Sequence, residues 1–225
     1  MQRALLPPRG LLRTLVSRVL HRVPPTPRAA SPYSTHLPVL VGLATELPVR
    51  NVLEFGAGRF STLTFLDRSA FPDVERVDSF DTDPAWRDEV LALANHDSRL
   101  TITLVDGPMH QAAASLPFEE YDLVLVDDSA DEASRTATIG TVARCRSNRN
   151  VIVVHDYEME RYRQASSIIP NRFTFHAYNP YTGVCWESAP LSASRLRSMA
   201  RQLQRYAEQL EPTDRAAWVE IWRGR

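Results

Sequence analysis

The segment Val52-Leu53-Glu54-Phe55-Gly56-Ala57-Gly58-Arg59-Phe60-Ser61-Thr62 decides the fold. A short apolar run ends in two closely spaced glycines and passes into a helical pattern over residues 60–68. Glycine has no Cβ, so a turn of this kind brings the backbone close to a ligand. The same order then repeats. Strands are expected at residues 74–80, 100–105, 121–126 and 150–155, and helices at 84–95, 111–116, 132–144 and 159–167. Alternation at these lengths means βαβ units, and therefore a parallel sheet with helices on both faces. Two further strands, at 172–178 and 184–187, flank a turn at 179–183 and close the sheet as a hairpin. The expected class is α/β, with a doubly wound, mostly parallel, seven-stranded sheet.

The flanks are of a different character. Leu12, Leu15, Val16, Val19, Leu20 and Val23 recur at helical spacing, with Arg13, Arg18 and Arg22 on other faces. This basic amphipathic helix has three competing roles: a lid or dimerisation helix, a membrane-surface helix, or a targeting peptide. Its arginines interrupt any apolar core that a secretory signal would need. Residues 24–34 are proline-rich and read as a linker. A short apolar helix is expected at 38–47. The tail at 194–210 is amphipathic through Leu196, Met199, Leu203, Tyr206 and Leu210, and Trp218 and Trp222 anchor a last helix. The chain thus divides into 1–34, a central domain at 35–190 and a helical extension at 191–225.

Composition narrows the function. The 225 residues suit one domain with extensions. With 44% apolar and 24% charged residues the chain is neither disordered nor a disulfide scaffold. No run of about 18 apolar residues would span a membrane. The net charge of −1 conceals an asymmetry. Residues 1–45 carry six Arg and no acid, 46–160 carry ten Arg and 22 acids, and 161–225 carry ten Arg and five acids. An overall basic charge suited to nucleic acid is missing. All 26 basic residues are Arg, which indicates a GC-rich, bacterial genome and excludes lysine chemistry. Cys145 and Cys185 have no metal-like spacing and read as buried free thiols, in keeping with a reducing cytoplasm.

In open α/β sheets the ligand binds beyond the carboxyl ends of the strands. The five parallel strands deliver Glu54, Asp81 with Asp83, Asp106, Asp127 with Asp128, and His155 with Asp156 to that edge. One such acid is commonly a helix cap; five in register suggest a site. A dinucleotide turn would carry a third glycine where Ser61 stands, which weighs against an oxidoreductase. Two glycines followed by Asp81 at the next strand end point instead to a nucleoside, whose ribose hydroxyls the carboxylate can accept.

These residues carry a resemblance. The segment from Val52 to Thr62 is similar to the first motif of class I S-adenosylmethionine-dependent methyltransferases, and Val77-Asp78-Ser79-Phe80-Asp81-Thr82-Asp83-Pro84-Ala85-Trp86 resembles their acidic-loop motif. Residues 121–128 and 151–156 resemble their fourth and fifth strands, so that the resemblance spans 38–188. It implies the Rossmann-like methyltransferase fold with S-adenosylmethionine as cofactor. It places Glu54, Gly56, Ala57 and Gly58 along the methionine portion, Asp81 on the ribose, and Asp106 and Gly107 near the adenine. Ser61, Thr82 and Asp127 complete the expected cofactor set. A cationic sulfonium also suits an acidic pocket.

Methyl transfer to oxygen needs in-line positioning and loss of the acceptor's proton. Two devices are expected as alternatives. His155, supported by Asp127 and Asp156, is a candidate base. Asp127, Asp128 and Asp156 are a candidate Mg²⁺ set, similar to that of catechol-type O-methyltransferases, although Tyr157 follows where that pattern has a further acid or amide. Tyr157 and Tyr181 are candidate acceptor-pocket residues, whereas Tyr178 and Trp186 read as core. His110, after a Gly-Pro turn, faces either the site or solvent, and Arg135, a candidate for an anionic acceptor, reads more as a solvated helix residue. The expectation is an O-methyltransferase acting on a small-molecule or sugar-like hydroxyl, with membrane-surface contact through the basic helix and a homodimer as open alternatives. An aminopropyltransferase, for which Asp127-Asp128 would supply paired acids, and a non-catalytic scaffold are the rivals.

Overall fold

The computed structural model describes residues 31–188 and 190–224. The expected basic helix and most of the linker lie outside them, as do the roles in membrane contact and dimerisation attached to that helix. Seven strands form one sheet: β1 (Asn51–Phe55), β2 (Arg76–Asp81), β3 (Leu100–Leu104), β4 (Leu123–Val126), β5 (Val151–His155), β6 (Asn171–Phe175) and β7 (Thr182–Trp186). Their order is β3-β2-β1-β4-β5-β7-β6. The first five are mutually parallel, and β7 runs antiparallel between β5 and β6. The helices are α1 (Leu37–Ala44), α2 (Ser61–Leu66), α3 (Pro84–Leu93), α4 (Met109–Ala113), α5 (Glu132–Cys145), α6 (Glu160–Ala165), α7 (Ala193–Tyr206) and α8 (Arg215–Arg223). Among the described residues no helix is long and apolar enough to cross a membrane.

Strand side chains alternate between faces, and here the alternation sorts the core into two layers. Val52, Val77, Leu123, Leu125, Val151 and Val153 pack beneath α1, α7 and α8. Leu53, Phe55, Val124, Val126, Ile152 and Val154 pack beneath α4, α5 and Tyr162 of α6. Since both faces are covered, the central strands read as nearly continuous apolar runs. Trp218 and Trp222 are buried and stacked, with centroids 6.1 Å apart, and the Trp222 indole N–H donates to the Pro38 carbonyl at 2.9 Å. The C-terminal helices therefore share the core of the sheet. Burying each large side chain contributes about 1.5–3 kcal/mol.

Three expectations change. Part of the proline-rich linker is structured: Pro32–Ser34 is a 3₁₀ turn, closed by the Ser34 amide on the Ser31 carbonyl at 3.2 Å, and Ser34, Thr35 and His36 are buried. Cys145, at the end of α5, is exposed, and only Cys185 is buried. Tyr157 is a core residue, 2% exposed, and its hydroxyl bonds the Ser166 hydroxyl at 2.7 Å. Its ring lies against Gly183 of β7, where an added Cβ would come within 2.3 Å of a ring carbon. Gly183→Ala is therefore expected to cost about 1–3 kcal/mol by overpacking, read from urea unfolding.

Candidate functional site

Crossovers from β1 lead to β2 on one side, while β4 pairs with β1 on the other. At such a switch point the loops diverge and leave a crevice. A cleft of about 800 Å³ opens there. The turn after β1 and the ends of β2, β4 and β5 form its floor, Trp86 of α3 one wall, and Ser31 to Tyr33 with His36 another.

The turn after β1 is fixed from two sides. Gly56 has φ +91°, and a Cβ there would lie 2.2 Å from the Asp127 carbonyl oxygen. Only glycine lets β1 and β4 release their loops so close together. Below the turn, Glu54 is fully buried. Its Oε2 accepts from the hydroxyls of Thr62 (2.6 Å) and Ser79, and Thr62 Oγ1 in turn accepts from the Gly58 amide at 2.9 Å. Burial pushes the Glu54 carboxyl up to about 7 against the pull of Ser61, Ser79 and Thr62. Contrary to its expected place along the ligand, Glu54 does not line the cleft. It supports the glycine turn from beneath, because β1 ends one residue later and its side chain at this register faces Ser79 on β2.

Gly56, Ala57, Gly58, Ser61, Asp81 and Asp127 do line the cleft. The Asp81 Oδ1 accepts the amides of Thr82 (2.7 Å) and Asp83 (2.9 Å), which anchors the carboxylate at the strand end. Burial raises its pKa against these amides and that of Ala57. Thr82 contributes that amide, but it is exposed and outside the lining. Asp106 and Gly107 are exposed at the edge of the sheet after β3, and they too lie outside the cleft lining. Trp86 was not anticipated. Its indole N–H donates to the Ala57 carbonyl, and Arg59 lies over its ring at 5.3 Å. An aromatic two residues into the helix after an acidic strand end was the available signal.

At the ends of β4 and β5 the sequence reading needs its largest correction. Arg135, expected in solvent, is 5% exposed. Its Nη1 lies 2.9 Å from Asp127 Oδ1 and also bonds Asp156 Oδ2. Asp156 sits at φ +56°, a strained conformation for a residue with a side chain. Asp128 borders the cleft, but one of its oxygens accepts from the Thr138 hydroxyl at 2.7 Å. Asp127, Asp128 and Asp156 therefore do not converge as a Mg²⁺ set, because a guanidinium already bridges two of them. His155 is buried with both ring nitrogens engaged, Nδ1 with Asp127 Oδ1 at 3.2 Å and Nε2 with Thr35 Oγ1 at 2.8 Å. Burial opposes its charge, yet Asp127 and Asp156 outweigh burial and raise its pKa. Burial likewise opposes ionisation of Asp127, but His155 and Arg135 overcome it and lower its pKa.

His36 was not singled out by sequence. Its ring meets that of His155 edge-on at 4.8 Å, it is 1% exposed, and neither ring nitrogen has a partner. Burial, followed by the charge of His155, holds its pKa near 3, so it is neutral. Tyr181 lies beside the cleft, packed edge-on against His176, and the adjacent Pro180 reaches the lining instead. Tyr157, buried beneath β7, is not an acceptor-pocket residue. His110 falls in α4, away from the lining.

Human methyltransferase-like protein 13 in complex with SAH superposes with a TM-score of 0.51 at 16% identity, over 81% of this chain and 94% of that one. The N-methyltransferase NodS from Bradyrhizobium japonicum WM9 in complex with S-adenosyl-l-homocysteine gives 0.47 at 14%, over 76% and 95%. An O-methyltransferase family protein from Burkholderia thailandensis gives 0.48 at 13%, over 77% and 63%. No protein-family model matches the sequence, and no curated protein matches it significantly. The likeness to the human protein establishes the fold: it is the Rossmann-like methyltransferase fold.

Two outcomes follow from the buried charges. Removing one partner of a buried ion network costs about 3–5 kcal/mol, so Arg135→Ala should lower the free energy of unfolding in guanidinium by that order. Glu54 keeps in the folded state a proton that an unfolded glutamate releases. Its contribution is full below about 4.5 and declines as pH rises to about 7. Glu54→Gln should flatten the thermal stability profile across that window, whereas an unchanged slope would assign it to other groups.

Proposed function

We propose that the protein is an S-adenosylmethionine-dependent methyltransferase acting on a hydroxyl of a small-molecule or sugar-like acceptor. The observation that carries this reading is the acid-lined cleft at the switch point, with the glycine turn on one side and Asp81 at the adjacent strand end on the other. The human structure of the same fold holds SAH. The cofactor would supply an electrophilic methyl group on a sulfonium, and the remaining work falls to the chain.

The turn at Gly56, Ala57 and Gly58 offers backbone at close approach, and Asp81 offers a carboxylate to vicinal ribose hydroxyls. Trp86 gives a flat apolar wall. Asp127 and Asp156, partly exposed to the cleft, favour a cation nearby even after Arg135 takes part of their charge. The corner formed by Asp127, His155 and Asp156 lies where an acceptor hydroxyl would be held and relieved of its proton. Positioning of nucleophile and methyl carbon in line supplies much of the acceleration in such a displacement. We assign this work to residues 35–190, with 31–34 supplying a wall and 191–225 buttressing the sheet. The aminopropyltransferase rival is weakened by Arg135, a cation already seated against Asp127 where a polyamine would need free acids.

Asp81→Ala should weaken S-adenosylhomocysteine binding about tenfold or more in titration calorimetry, in line with about 1.5–3 kcal/mol for hydrogen bonds to a charged group, while the circular dichroism spectrum is unchanged. Equal affinity in variant and parent would overturn the ribose assignment.

A further inference from the structure

We infer that His36, Asp127 and His155 form a binding site for one divalent transition-metal ion of the Zn²⁺ type, at the acceptor end of the cleft. Among the described residues these are the three side chains whose ligand atoms, one each, all fall within 4.8 Å of one another. Two imidazoles and a carboxylate suit first-row transition ions, whereas Mg²⁺ prefers an all-oxygen shell.

Three observations point to an ion. First, His36 is buried with both ring nitrogens unpartnered, a state that is unfavourable for polar groups without an occupant to bind. It also borders the cleft. Second, His155 Nδ1 and Asp127 Oδ1 are 3.2 Å apart. Two ligands at about 2.0–2.1 Å from a tetrahedral ion are about 3.3 Å apart, so this edge is already at its bound spacing. Third, the supporting contacts are those that metal-ligating side chains use. The other nitrogen of His155 is held by the Thr35 hydroxyl, which fixes the ring, and Asp127 is held by Arg135. With three protein ligands, a four-coordinate ion would keep one position for water or an acceptor oxygen. Ion binding stands independently of the methyltransferase reading, although such a ligand would serve it by making a hydroxyl more acidic.

The test uses the full chain after chelator treatment. Zn²⁺ titration calorimetry, with metal content measured after gel filtration, should show one tight site, and Mg²⁺ should give no comparable heat. His36→Gln and His155→Gln should each weaken Zn²⁺ binding by at least about tenfold, since even outer-sphere changes cost about 10–100-fold. A parent protein that retains no Zn²⁺, or variants that bind it as well as the parent, would overturn the site. If a variant fails to fold, Co²⁺ on the parent decides: an intense visible band of four-coordinate cobalt supports the site, and a weak six-coordinate spectrum overturns it. S-adenosylhomocysteine titrated into the metal-free protein reports on the cofactor separately, so that either reading can fail while the other stands.

Discussion

A guanidinium buried among carboxylates is the constraint on which the rest of the site depends. Parallel strands all deliver their carboxyl ends to one edge, and in this chain the residues delivered are acids. Left alone, the carboxylates of Asp127 and Asp156 would repel across adjacent strand ends. Arg135, reaching back from α5, lies between them with its side chain 6% exposed. Burial opposes the charge of Asp127, but His155 and then Arg135 outweigh it and lower its pKa, while Asp128 keeps its bond with Thr138. The guanidinium also gives the cleft its polarity, with a clamped acidic floor on one side and the glycine turn on the other.

The second support is smaller and works through hydrogen bonds. Glu54, Thr62, Ser79 and the Gly58 amide form one chain of contacts beneath the turn. The turn can follow a close path only because Gly56 yields to the Asp127 carbonyl. The two supports meet at Asp127, whose backbone fixes the turn and whose side chain fixes His155. A rigid floor of this kind suits a reaction governed by alignment.

The fold was legible in the sequence because it is written in local patterns. Apolar runs of four to six residues, punctuated by acids and followed by helical periods, state a parallel sheet without reference to distant contacts. Pro84 and Asp83 even mark the start of α3, where the Asp83 carboxylate caps the amides of Ala85 and Trp86. The site was half legible for the same reason. The glycine turn, Asp81 and Asp127 stand at strand ends, whose position follows from the pattern. What escaped were side chains whose place depends on long-range packing. Arg135 sits in an ordinary polar helical stretch, and nothing near it in sequence says that it turns inward. His36 follows a proline-rich segment that reads as linker, and it meets His155 across 119 residues only once α1 has docked. Tyr157 failed in the opposite sense. Its neighbours suggested a site, but the antiparallel return of β7 covers it. Asp106 and Gly107 show the limit of reasoning by strand ends, since β3 lies at the sheet edge, away from the crevice.

The central claim is that the crevice between the glycine turn and Asp81 is a nucleoside site. A crystal structure of the full chain grown with S-adenosylhomocysteine tests it most directly. Density is expected with the ribose hydroxyls within about 3 Å of the Asp81 carboxylate and the sulfur end pointing toward the corner of Asp127 and His155. An empty crevice at saturating ligand, or density bound elsewhere on the molecule, would contradict the claim.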